Sequence, residues 1–183
     1  MYRDRSLIPS EAVRLAALGS LALGSKRYAD LASEIRQFTV FITGPSLDLV
    51  GPPIELLRVE GLIKTVDRGG SSEEALIEIS PTGRAELVRL MGASLRPPVN
   101  DLNKLVLTLK LRFLHLLDLE ERRRQTEAMT DLAEQEMRRL RDLQRRHGTD
   151  SGLLPRWLEH EIDLAESRLA WFRTLLTEIG ARG

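Results

Sequence analysis

Arg68 is followed by Gly69-Gly70-Ser71-Ser72. A guanidinium beside residues that lack side chains can come close to an oxyanion such as a backbone phosphate. Gly69-Gly70-Ser71 is not itself a nucleotide-phosphate loop, because it lacks the following Lys and the strand-to-helix context that such a loop needs. His115, His147 and His160 share no ligand-like spacing, and the chain has no Cys, so neither a metal nor a cofactor is expected. No nucleophile motif and no pair of acids at a useful spacing stands out. The chemistry on offer is recognition, and the expectation is a binding protein, not an enzyme. The lack of Cys also excludes disulfides and suits a reducing compartment. Met1-Tyr2-Arg3-Asp4-Arg5 leads into no apolar signal core, and no window of about 18 residues is apolar and uncharged. A soluble cytoplasmic protein with no membrane span is therefore expected.

The elements that would position Arg68 are legible around it. Gly61-Leu62-Ile63-Lys64-Thr65-Val66-Asp67 and Ala75-Leu76-Ile77-Glu78-Ile79 are two short β-branched segments flanking the polar tip 68–74. That is a hairpin with a loop longer than a tight turn. Helical periodicity lies on both sides. A first helix opens at Pro9-Ser10-Glu11, carries Leu15, Leu18, Leu21 and Ala22, and stops at Gly24-Ser25. A second is expected from about Arg27 to Gln37, with Leu31, Ile35 and Phe38 on one face. Residues 39–51 read equally as strand, loop or an extension of that helix. A third helix is expected near Pro52 with Ile54, Leu57 and Val59, ending at Gly61 in the position after the cap. Ser80 as N-cap with Pro81 behind it starts a fourth, which uses Leu87, Leu90 and Met91. Helices, a two-stranded wing and a further helix make a winged helix-turn-helix, a shape that grips DNA by groove and backbone.

Arg96-Pro97-Pro98-Val99-Asn100 marks the expected domain boundary, with 1–96 winged and 97–183 helical. Asp101 can cap a helix to Leu117. Asp118, with Glu121 three residues on, caps one that can run to His147. After the turn 148–152, a last helix is expected over about 154–179. Leu158, Ile162, Ala165, Leu169, Phe172, Leu176 and Ile179 recur there at alternating spacings of four and three, a coiled-coil seam. Met129, Ala133, Met137 and Leu140 make a weaker stripe on the preceding helix. These stripes could pair within one chain or with a symmetric second copy, and the expectation is a homodimer. The fold class expected is mainly α with a small β-hairpin wing, a winged helix-turn-helix followed by a coiled-coil-like dimerisation domain.

Pro52-Pro53-Ile54-Glu55-Leu56-Leu57, then Glu60-Gly61-Leu62-Ile63, then Ile79-Ser80-Pro81-Thr82-Gly83-Arg84, resemble the recognition helix, its exit and the wing exit of the PadR-like bacterial transcriptional regulators. The stretch from Lys110-Leu111-Arg112-Phe113-Leu114 through Trp171 is similar to that family's long helical dimerisation region. Gly51 departs from the pattern, which has Tyr before the recognition-helix Pro, and Tyr28 lies about one residue from the usual second-helix Tyr. The resemblance implies a dimeric repressor bound to a double-stranded DNA operator. It implies DNA contacts from the second helix, the third helix and the wing, for which the candidates are Lys26, Arg27, Tyr28, Ser46, Arg58, Lys64 and Arg68. Cations would neutralise phosphates and hydroxyls would donate to them. It also implies a small aromatic effector, for which Trp157, Trp171 and Phe172 could stack or could equally be packing residues.

Charge is a counterweight. Lys plus Arg and Asp plus Glu are 12 and 12 over residues 1–96 and 15 and 15 over 97–183. A DNA-binding domain usually has a basic excess. Asp48 and Glu55 lie near the expected reading surface and would repel phosphate. The Arg run 122–124, with Arg138, Arg139, Arg141, Arg145 and Arg146, alternates with acids and reads as a solvated helix face or as a second nucleic-acid patch. The alternative to a DNA-binding regulator is thus a winged-helix interaction module that binds DNA weakly or not at all.

Overall fold

The computed structural model describes residues 7–43, 54–67, 74–94, 101–149 and 151–181. The chain divides into two compact units, 1–116 and 117–183. This division lies about twenty residues after the composition boundary read at 96/97.

In the first unit, α1 (Pro9–Ala22) buries Leu15, Leu18 and Leu21 together with its small residues, and Glu11 accepts from the Ile8 N–H at 3.2 Å. Lys26–Arg27 form a short strand, β1, which hairpin patterning alone did not reveal. α2 (Tyr28–Thr43) runs past the Gln37 end expected from the sequence. Leu31, Ile35 and Thr39 are buried, and this spacing of four holds the β-branched stretch in a helix against its intrinsic preference. Residues 39–43 are thus helix, while 44–51 lie outside the described residues. α3 (Ile54–Val59) buries Ile54 and Leu57 and leaves Val59 exposed.

β2 (Ile63–Asp67) and β3 (Leu76–Ile79) form the wing hairpin, and β1 adds to the other side of β3 in an antiparallel sheet of order β1-β3-β2. A bulge interrupts the register between Thr65 and Asp67. Gly61 has φ +72°, the left-handed conformation expected after a helix end. Its carbonyl accepts from Ser80 Oγ at 2.6 Å and from Thr82 Oγ1 at 3.1 Å, while the Gly83 N–H donates to Ser80 Oγ at 3.0 Å. A side chain at Gly83 would overlap the Leu62 carbonyl. The start of α4 (Pro81–Met91) is in this way bolted to the exit of α3, which fixes the base of the wing.

α5 (Asp101–Phe113) continues into a 3-10 turn, Leu114–Leu116. It packs on α1 and α2 with Leu105, Leu109 and Phe113 fully buried, so it belongs to the winged unit. The Phe113 ring fills the space that a side chain at Gly19 would need.

The second unit is an antiparallel hairpin of α6 (Leu119–His147) and α7 (Leu154–Ala181). The Asp118 carboxylate caps α6 by accepting from the Glu121 N–H at 2.8 Å. Arg141–Glu166 at 2.6 Å, Arg168–Glu136 at 2.9 Å and Arg173–Glu134 at 2.8 Å tie the helices in one antiparallel register. Met129, Ala133 and Met137 are buried on α6, and Leu158, Ile162, Ala165, Leu169 and Phe172 on α7. Leu176 and Ile179 are half-buried. The seam expected to face a second copy is therefore the interior of one chain's hairpin. A 4-3 stripe reports that a helix is half covered, not whose helix covers it.

Candidate nucleic-acid interface

Strand register sorts the candidate cations. Directly paired residues in a sheet share a face. Arg27 is paired with Leu76 and Lys64 with Glu78, so these four point to the outer side of the sheet. Lys26 is paired with buried Ile77 and points to the inner side. There Lys26 Nζ meets Glu34 Oε2 at 2.8 Å.

Glu34 on α2 is the centre of this inner cluster. Its other oxygen accepts from Ser20 Oγ of α1 at 2.6 Å and from the Arg112 guanidinium of α5. Arg112 also lies over the Phe38 ring, 4.6 Å from its centroid. Burial pushes the Glu34 carboxyl pKa up, but the hydrogen bonds from Lys26, Ser20 and Arg112 outweigh it and bring it from the usual 4.5 down to about 2. One carboxylate thus joins α1, β1, α2 and α5. Lys26 is a structural partner of that carboxylate, and the expectation that it contacts DNA fits the geometry poorly.

On the outer surface, Lys64 Nζ meets Glu78 Oε1 at 2.6 Å and Arg58 of α3 meets Glu55 Oε2 at 2.5 Å. Arg27 is exposed and makes no ion pair among the described residues. Tyr28 is half-buried, and its N–H donates to the Ala75 carbonyl at 3.1 Å. Ser46 and Arg68 lie outside the described residues, as do Asp48 and Gly51. The structure thus brings Arg27 and Lys64 to one sheet face, puts Arg58 on the exposed side of α3, and withdraws Lys26.

Against this geometry, the family model of AphA-like transcriptional regulators matches residues 2–176. The chain belongs to that family. Similar solved structures include Bacillus subtilis PadR in complex with p-coumaric acid, 16% identical, covering 92% of this chain and 99% of that one with a TM-score of 0.39. Bacillus subtilis PadR in complex with operator DNA is 18% identical, with 91% and 98% covered and a TM-score of 0.37. The PadR-like transcriptional regulator BC1756 from Bacillus cereus is 17% identical, with 93% and 99% covered and a TM-score of 0.40. No curated protein matches the sequence. The PadR-like resemblance read from residues 52–84 agrees with the family assignment on a transcriptional regulator.

The regulator's aromatic candidates separate in the same way as its cations. Phe172 is buried in the hairpin, with Trp171 edge-on to it at 5.2 Å. Trp157 and Trp171 are each about half exposed, at 50% and 52%. They stand fourteen residues apart on one helix, roughly 21 Å at 1.5 Å per residue, so a small aromatic cannot touch both within one chain. A separate open cleft of about 220 Å³ is lined by Leu119, Arg122, Leu175, Glu178 and Ile179, below the usual 300–1,000 Å³ of ligand pockets. Among the described residues no group of His, Asp or Glu could hold a metal ion, and no helix is long and apolar enough to cross a membrane.

Two features were missed in the sequence. Glu34 gave no local signal, since its partners come from positions 20, 26 and 112. Trp157, Leu164 and Trp171 did give one: they recur every seven residues and form a second, exposed apolar stripe on α7.

Proposed function

We propose that the regulator is a dimeric, sequence-specific DNA-binding repressor. The observation that carries this reading is the winged arrangement itself. A sheet of order β1-β3-β2 presents Arg27 and Lys64 on its outer face, and α3 leaves Arg58 uncovered. In such a fold the third helix enters the major groove and the wing follows the backbone. The units 1–116 and 117–183 would divide the work into DNA binding and dimerisation, with α5 acting as the winged unit's structural brace. The test is binding of the full chain to DNA upstream of its own gene, titrated across salt, with Arg27→Ala and Arg68→Ala alongside. Saturable binding that weakens with salt and with each substitution supports the reading. Binding no tighter than to random DNA refutes it.

Because one chain's own hairpin buries the seam from Leu158 to Phe172, the dimer contact proposed is a face left exposed in the single chain. Trp157, Leu164 and Trp171 are 50%, 47% and 52% exposed on one side of α7, and large apolar side chains exposed together commonly mark an interface. The order Trp157, Glu161, Leu164, Arg168, Trp171 is close to palindromic about Leu164. Two copies crossing antiparallel there would set Trp157 of one beside Trp171 of the other and Glu161 near Arg168. An aromatic effector would then find its stacking groups at the dimer seam. Leu164→Glu is expected to yield monomers of unchanged helicity by light scattering and circular dichroism. An unchanged mass would refute this face.

The second reading, a winged-helix interaction module, is favoured by one observation: Arg58 and Lys64 are both engaged by carboxylates of the same chain. Salt dependence separates the two readings, since phosphate contacts give a steep slope of affinity against salt.

A further inference from the structure

The outer surface proposed to meet DNA carries its own competitors for phosphate. Glu55 and Arg58 are three residues apart on the exposed side of α3, with oxygen and nitrogen 2.5 Å apart. Glu78 and Lys64 face each other directly across β3 and β2, with 2.6 Å between their charged atoms. A carboxylate offers a cation the same kind of anionic oxygen acceptors as a phosphate. For phosphate to take Arg58 or Lys64, each pair must open. The freed carboxylate then remains within a few ångströms of the incoming charge, well inside the screening length of about 8–10 Å at physiological salt. The chain's zero net charge provides no general attraction to offset this.

We infer that Glu55 and Glu78 set the DNA affinity of this regulator by occupying Arg58 and Lys64 in the free protein. The inference rests on the DNA-binding reading above. Glu34 and Lys26 are a different case, because Glu34 also holds Ser20 and Arg112 in the packing of the winged unit. The side chains of Glu55 and Glu78 are 41% and 33% exposed and carry no such additional partners among the described residues. Their loss is therefore expected to leave the fold intact. The arrangement would keep the protein off random DNA. Tight binding would then require a site whose base contacts more than repay the opening of both pairs.

The test measures binding of the full chain to a random-sequence 30-base-pair duplex by fluorescence anisotropy over a range of potassium chloride concentrations. The proteins are wild type, Glu55→Gln, Glu78→Gln and the control Glu136→Gln, which removes the same charge from the Arg168 pair on the helical hairpin. Exposed ion pairs are worth about 0.2–1 kcal/mol, and local repulsion of phosphate is relieved in addition. Each of the first two variants should therefore bind about two- to fivefold more tightly, with the control unchanged. In a Lys64→Gln background the gain from Glu78→Gln should shrink, because the cation it frees is absent. Equal affinities for wild type, Glu55→Gln and Glu78→Gln overturn the inference while leaving DNA binding standing. So does an equal gain in the control, which would make the effect one of net charge. A loss of affinity in Glu55→Gln overturns it for that residue. If no variant binds the random duplex at low salt while wild type binds the DNA upstream of its own gene, the inference is overturned alone; if wild type binds neither DNA, the DNA-binding reading falls and the inference falls with it.

Discussion

Glu34→Gln is the sharpest test of how the winged unit is held together. The carboxylate accepts from Ser20, Lys26 and Arg112, which belong to three other elements. Its pKa falls from 4.5 to about 2. At about 1.4 kcal/mol per pH unit, that preference for the ionised form sets an upper bound of about 3 kcal/mol on the stability gained, which solvent screening of this partly exposed group lowers. Gln keeps one acceptor for Ser20, and Lys26 and Arg112 can turn to solvent, so the expected loss at pH 7 is about 2 kcal/mol. The folded pKa lies below the unfolded one. The ionic contribution is therefore fully present above pH 4.5 and is lost as pH falls through about 2. The gap between wild type and variant should accordingly be widest at pH 7 and mostly closed near pH 2. Both tryptophans lie on α7, so intrinsic fluorescence follows the hairpin and serves as an internal control. The decisive readout is hydrogen exchange of peptides from α1 and α2, together with urea unfolding followed by circular dichroism at several pH values. A stability difference that is the same at pH 7 and pH 2.5, or is absent at pH 7, would refute the assignment of Glu34 as an ionic hub.

Three further outcomes follow from the packing. Gly83→Ala should destabilise the winged unit by about 1–3 kcal/mol despite the better helix propensity of Ala, because the new methyl overlaps the Leu62 carbonyl; urea unfolding checks this. Ser80→Ala removes the cap of α4 and one of two side-chain donors to the Gly61 carbonyl, for an expected loss of about 1–2 kcal/mol by the same measurement. Leu158→Ala opens a cavity in the α6–α7 core and should cost about 2–5 kcal/mol, reported by tryptophan fluorescence and by faster exchange in the hairpin.

The legible parts of the fold were those set by local patterns. Ser80-Pro81 fixed the start of α4, Asp118 that of α6, and Gly61 the exit of α3, because caps and left-handed turns need particular residues within a few positions. The wing strands at 63–67 and 76–79 were equally plain as two β-branched segments flanking a polar tip. Other parts depended on distant partners. β1 is two residues long and exists only through its pairing with β3. The Thr39–Thr43 stretch has strand-forming residues, yet burial of Thr39 in line with Leu31 and Ile35 keeps it in α2. α5 looked like part of the C-terminal helices until its apolar face was seen to cover α1 and α2.

The candidate site divides along the same line. The sequence by itself determined the winged order of elements, the long helices and the family resemblance, because these rest on periodicity and on residues with special backbone preferences. It also supplied the candidate cations for the proposed DNA contact. Only the tertiary structure decided which of them are available. Strand register turned Lys26 inward to Glu34, and cross-strand pairing gave Lys64 to Glu78. Antiparallel packing of α6 on α7 took the 4-3 seam from Leu158 to Phe172 into the chain's own core and left Trp157, Leu164 and Trp171 outside. The physical reason is common to all three. A side chain's type and spacing state what it can bind, whereas its partner is chosen by contacts between segments far apart in sequence.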